Sequence, residues 1–206
     1  MAAVTTYATL NTYINALFDR ATDTTFTAQN DTFIGLAEAA FSPKLLSRRM
    51  ETTASLTVTS GSASLPSDFF RARTAYATIS NVRVDLPFIT PAQEMALYPI
   101  DTGDAVYSKI VGSTYYTVPS DDLTVTLDYL ARFTGLSSGN TTNWIITYHP
   151  NLYVDAVAAQ AARWIQDTEK AVMYERSWRD IQDQITDNYA IEYFNNTELT
   201  LDSPTP

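Results

Sequence analysis

Three stretches of different hydrophobic period follow one another along the chain. In the first, Tyr7, Leu10, Ile14 and Leu17 recur at the three-then-four spacing of one helical face, with Thr5 or Thr6 placed to cap its start. A polar connection over 23–27 leads to a second amphipathic pattern, Phe33, Leu36, Ala37, Ala40 and Phe41. Pro43 reads as a bend or restart of that helix. The positive run from Lys44 to Arg49 reads as its closing end, where cations complement unpaired carbonyls.

The middle stretch changes period from about 3.6 to about two. Ala54, Leu56 and Val58 alternate with Ser55, Thr57 and Thr59, and Ser60-Gly61 predicts a tight turn into 62–65. Ser80-Asn81 separates a strand over 71–79 from Val82, Val84 and Leu86. Gly112-Ser113 separates 105–111 from 114–118, in the Gly-first order of a type II′ hairpin. The clearest strand spans 123–133, with Leu123, Val125, Leu127, Tyr129 and Phe133 on one side and Thr124, Thr126, Asp128 and Arg132 on the other. Such alternation gives one buried and one wet face. Thr90-Pro91-Ala92-Gln93 supplies an N-cap, a first-turn proline and a capping-box glutamine, which predicts one short helix near 90–98.

The last stretch is helical again. After a small-residue loop over 135–140, Asn143-Trp144-Ile145-Ile146 opens a short apolar segment, and Pro150 starts a helix reaching about residue 167. Its Ala156-Val157-Ala158-Ala159-Gln160-Ala161-Ala162 surface lets another helix approach closely, from this chain or from another copy. A final helix carries Tyr174, Trp178, Ile181, Ile185 and Tyr189 on one stripe, with Arg176 one turn from Asp180. Together the patterns predict an α+β fold. Helices from 1–51 and 135–195 form a helical bundle, an antiparallel β subdomain over 52–134 is inserted between them, and 196–206 form an extended C-terminal tail. In that tail Leu199 and Leu201 alternate like a strand before Asp202-Ser203-Pro204-Thr205-Pro206 stops any ladder.

Composition narrows the function. The 206 residues are 45% hydrophobic, enough for a sizeable core, and contain no cysteine, which removes disulfides and thiolate chemistry together. No apolar run is long enough to cross a bilayer, and Met1-Ala2-Ala3-Val4-Thr5-Thr6 does not read as a secretory signal. Against 23 acidic side chains stand 13 basic ones, a formal charge of −10. Tight DNA binding neutralises phosphates with Lys and Arg, so this balance argues against it; an acidic wall suits passage of DNA instead.

The search for chemistry finds no reactive constellation. His149 is the only histidine, which rules out paired-His metal sites, and no nucleophile motif accompanies it. Glu38, Glu51, Asp68, Glu94 and Asp121-Asp122 are numerous enough for a carboxylate pair but sit in no glycosidase signature. Asp101-Thr102-Gly103-Asp104 lacks the spacing of a calcium loop. The sequence therefore predicts no catalytic, cofactor-binding or metal-binding residues. What it does hold is 13 Tyr, 9 Phe and 3 Trp, side chains that bury large areas and keep a polar handle. Tyr115 and Tyr116, adjacent on a strand, point to opposite faces. With Trp164, Trp178, Leu199 and Leu201 they are the candidate subunit or partner contacts.

The ordered series of motifs resembles the head-to-tail adaptor (connector) family of short-tailed bacteriophages. It comprises Leu65-Pro66-Ser67-Asp68-Phe69, then Leu127-Asp128-Tyr129-Leu130-Ala131-Arg132, Asn143-Trp144-Ile145-Ile146 and His149-Pro150-Asn151-Leu152-Tyr153. The alanine-rich helix ending in Trp164-Ile165-Gln166-Asp167 and the helix with Tyr174 and Trp178 follow. The likeness covers about 6–195; it departs at Asn151, where an acidic residue is usual, and leaves out the tail. It implies a structural virion protein at the head–tail junction, made in the host bacterial cytoplasm. It also implies a homo-oligomeric, dodecameric ring that binds the portal protein and the tail nozzle or tube, while genomic DNA passes through without specific binding. The alternatives are a virion-associated peptidoglycan hydrolase and another connector component, such as a stopper or tail-completion protein.

Overall fold

The computed structural model describes residues 3–79, 82–98, 101 and 103–195. Ser80-Asn81, which separate the two expected strands, and residues 196–206 with Leu199 and Leu201 lie outside the described residues. The fold is α+β, and the chain divides into two compact units: residues up to Arg49 with those from Phe133 on, and Met50–Arg132.

The first unit is helical, with elements α1 (Tyr7–Leu17), α2 (Thr24–Thr27), α3 (Asn30–Phe41), α5 (Trp144–Tyr148), α6 (Pro150–Trp164) and α7 (Thr168–Asn195); α4 (Pro91–Leu97) belongs to the other unit. Helix starts are fixed locally. Thr6 accepts the Thr9 N–H at 3.2 Å while Thr9 accepts the Thr6 N–H at 2.9 Å, a reciprocal capping box for α1. Asn143 caps α5 through Oδ1, which accepts the N–H groups of Ile145 and Ile146 at 3.1 Å each.

Helix α6 is the centre of this unit, packed against α1, α3, α5 and α7. Ala156, Ala158, Ala159, Ala161 and Ala162 are all buried, so the small-residue surface is used within this chain. With no side chain beyond Cβ, these positions let the backbones of neighbouring helices come close. Around them pack Leu10, Ile14, Phe26, Phe33, Phe41 and Tyr153.

Three local expectations are corrected. The polar connection over 23–27 contains α2, because the Asp23 carboxylate accepts the N–H groups of Thr25 and Phe26 and holds a single turn. Helix α3 ends at Phe41, ahead of Pro43, so Lys44–Arg49 does not close it; Arg48–Met50 form a separate 3-10 turn. Leu36 is exposed, and Ile34 takes its place on the buried side.

Among the described residues the second unit holds seven strands: β1 (Glu51–Thr57), β2 (Ser62–Ser64), β3 (Phe69–Ile79), β4 (Val82–Asp85), β5 (Tyr107–Val111), β6 (Thr114–Val118) and β7 (Thr124–Ala131). They form two antiparallel sheets, β1-β7-β3-β4 and β2-β6-β5. Ser60 and Gly61, at φ 51° and 69°, turn the chain from β1 toward β2, which joins the other sheet. Gly112 alone takes positive φ, 61°, in the two-residue loop between β5 and β6, as a type II′ turn requires. Val125, Leu127 and Tyr129 of the first sheet and Tyr115 of the second meet in one core. Helix α4 carries the capping box of Thr90 and Gln93 but buries none of its residues.

Candidate interaction surfaces

The carboxylates with catalytic potential are engaged in holding the chain together. In the β unit, Asp68 accepts the Tyr129 O–H at 2.9 Å, and its main-chain oxygen accepts the Arg132 N–H at 2.6 Å. The Leu65–Phe69 motif is thereby knitted to β7. Glu94 of α4 is ion-paired with Lys109 of β5, and Glu51 with Arg73. Asp121 and Asp122 accept the N–H groups of Ala105 and Ser60. Asp101 accepts both the N–H and the O–H of Ser120, which hold its carboxyl below the usual range.

In the helical unit Glu38 is the most committed. Its Oε1 accepts the Leu136 N–H at 2.7 Å and the Tyr153 O–H at 2.8 Å. Asn143 donates to the Tyr153 hydroxyl at 2.7 Å and to the Thr134 carbonyl at 3.0 Å. Burial raises the Glu38 carboxyl above the usual range, against the two hydrogen bonds that favour its charged form. The Gly135 backbone lies so close that a Cβ there would stand 2.5 Å from Glu38 Oε2. Asp155 of α6, raised by burial in the same way, accepts the Ser177 O–H at 2.6 Å. Among the described residues no three of His, Asp and Glu converge as metal ligands.

His149 links α5 to α6 and stands edge-on to Trp144. Burial first, and the Arg49 charge second, lower its pKa, so it is neutral at pH 7. Its neighbours form a pocket of about 560 Å³ lined by Ser47, Arg48, Arg49, Tyr148, His149, Ile185, Asn188 and Tyr189. The Arg49 guanidinium lies 3.5 Å above the Tyr148 ring. Neither Arg48 nor Arg49 forms an ion pair with any described carboxylate. Two cations without an ion-pair partner among the described residues, between aromatic and apolar walls, are suited to hold an anionic group. Sequence reasoning missed this pocket, since it treated the Arg48-Arg49 pair only as a helix end.

The predicted contact residues divide. Tyr115 is fully buried in the β core, and Trp178 is only 6% exposed in the helical core, so both pack against their own chain. The α7 stripe around Trp178 faces inward with it, because Ile185 and Tyr189 are buried as well. Tyr116 is half-buried beside Lys109, and Trp164 is exposed, edge-on to Phe26 and Phe33. The outer face of α7 carries Val172, Met173 and Ile191, each more than half exposed. Arg176 makes no ion pair with Asp180; Glu175 instead pairs with Arg163 and Arg179.

Among the described residues, the carboxylates singled out in the sequence are tied into the chain's own structure, while apolar and charged side chains of α4 and α7 are left exposed. The chain belongs to the SU10 adaptor protein family, whose profile matches residues 5–197. It is thus a phage adaptor, a structural component of the virion, and that membership implies a structural rather than enzymatic role. A search of curated proteins gave no match. Among the described residues no helix is long and apolar enough to cross a membrane.

Proposed function

We propose that this adaptor sits at the head–tail junction, where its copies close into a dodecameric ring between the portal protein and the tail nozzle or tube. The observation that carries the reading is the outer face of α7, a long helix whose inner face is core and whose opposite side leaves Val172, Met173 and Ile191 in solvent. Val172 and Met173 lie near the start of the helix and Ile191 near its end, with the charged Arg176, Asp180, Asp183 and Asp187 exposed between them, a mixed apolar and charged face of the kind protein contacts use. Family membership over nearly the whole chain makes phage proteins, including further copies of this one, the natural partners.

The remaining surfaces would meet portal and tail. Tyr116, Trp164 and the apolar side of α4, where Met95 is 78% exposed, are available for this. Leu199 and Leu201 would add a strand to an exposed edge of a neighbour. With a net charge of −10, the ring would let DNA pass without gripping it.

Attachment of tails to filled heads tests this function. Heads made without the chain should lack tails, and purified protein added back should restore infectivity. Tails joining normally in its absence would overturn the assignment. Truncation before residue 197 should leave the fold intact and weaken attachment; unchanged assembly would refute the role given to Leu199 and Leu201.

A further inference from the structure

Helix α7 presents two unlike faces. Ile185, Asn188 and Tyr189 line the pocket that holds Arg48 and Arg49. On the opposite face Asp180, Asp183 and Asp187 recur at three- and four-residue spacing, all exposed. None of the three forms an ion pair with a described cation, although Arg176 lies nearby. Val172 and Arg176 stand beside this stripe on the same helix. Like charges one turn apart repel, and a cation from outside the helix would relieve that repulsion.

We propose that the Arg48–Arg49 pocket of one copy receives the Asp180–Asp183–Asp187 stripe of the next copy. The inference rests on the ring reading and names its contact. Charge complementarity is its first support: cations without a described ion-pair partner in a concavity, and carboxylates without one on the outer face of a helix, occur in one chain. Guanidinium groups match carboxylates in a planar, two-bond geometry, and Arg49 is already oriented by Tyr148. Placement is the second support. The two surfaces lie on opposite sides of one helix, so each copy can receive a neighbour and be received by another. Such a heterologous contact propagates and closes as a ring when its rotation permits. Val172, Met173 and Ile191 flank the stripe and would lose water in the same contact. Duplex DNA is the poorer occupant, because a phosphate track needs cations spread over many residues, and here two share one pocket between aromatic walls.

The cysteine-free sequence allows a direct test. Particles carrying the double variant Arg49→Cys/Asp183→Cys should give, with a short bismaleimide, a ladder of covalent multimers on a denaturing gel, and either single variant should give none. Reversing the pocket with Arg48→Glu/Arg49→Glu should lower incorporation into particles by about tenfold or more, as lost interfacial charge pairs do. Adding Asp180→Arg/Asp183→Arg to that same chain should restore it. All these positions are exposed, and thermal melts of each variant check the fold. A ring present in particles without the ladder, or a reversal that the swap fails to rescue, overturns this contact and leaves the ring reading standing. Particles with no ring overturn both. An absent ladder together with weaker binding of the pocket variant to a DNA duplex reassigns the pocket to nucleic acid and overturns the proposal.

Discussion

The helical unit and the β unit protect their interiors by different means. Around α6 the core is enclosed on several sides by helices, and its alanines leave no large side chain to share with another molecule. The β unit has one core between two small sheets, keeps β1, β4, β2 and β5 as edges, and carries α4 with nothing buried. A helix surrounded by its own neighbours directs new contacts to whatever surface stays uncovered, here the outer side of α7. Sheet edges and a helix held by its cap and one ion pair offer contact in many places with less commitment. The first arrangement suits a fixed, repeated contact between copies, and the second suits partners of different shape.

The strongest way to break this contrast is to open the helical core. Phe41, stacked on Phe133 and edge-on to Tyr153, is fully buried, so Phe41→Ala should cost about 3–5 kcal/mol in urea unfolding. Hydrogen exchange of that variant should quicken in α3 and α6 more than in β3 and β7; equal loss in both units would dissolve the distinction.

Glu38 sharpens the contrast from the polar side. Glu38→Ala strands the Leu136 N–H and the Tyr153 O–H, a loss of about 1–3 kcal/mol. Because burial raises its pKa, the contribution of Glu38 is complete below the ordinary carboxylate range and is lost as pH rises through the raised value. Glu38→Gln, which still accepts both hydrogen bonds, should flatten that fall. Melting temperatures of both proteins across pH 4–8 check it, and parallel curves would remove Glu38 from the account.

Helix α4 supplies the counterpart in the β unit. Thr90→Ala removes its cap at a local cost of about 1 kcal/mol, yet α4 buries no residue, so the loss should stay within that helix. Faster exchange confined to α4 amides is the expected outcome. The smallest effect belongs to the outer face: Val172→Ser/Met173→Ser should change subunit stability by less than about 0.5 kcal/mol per site while reducing incorporation into particles.

Much of this fold was legible in the sequence where the signal is local. The capping box at Thr90 and Gln93, the Gly112-Ser113 loop and the α1 stripe follow from side chains within a few residues of one another. Helix α2 escaped notice because four residues show no periodicity, and only the Asp23 cap could have announced it. The pairing of β1 with β7, from Thr57 with Thr124 to Glu51 with Leu130, joins residues far apart in sequence and carries no local mark. Stripes show that a face is covered without showing by what, which is why Trp178 and Tyr115 read as partner contacts although they fill the chain's own cores. The Arg48–Arg49 pocket could not be read at all, since three separated segments build it.

The central claim is that the uncovered side of α7 is covered by another copy in the virion. Reconstruction of the head–tail junction by electron microscopy measures this directly. The account predicts a closed ring in which Val172, Met173 and Asp183 of each subunit are buried against the next. Subunits whose outer α7 face stands in solvent, or faces only a different protein, would contradict it.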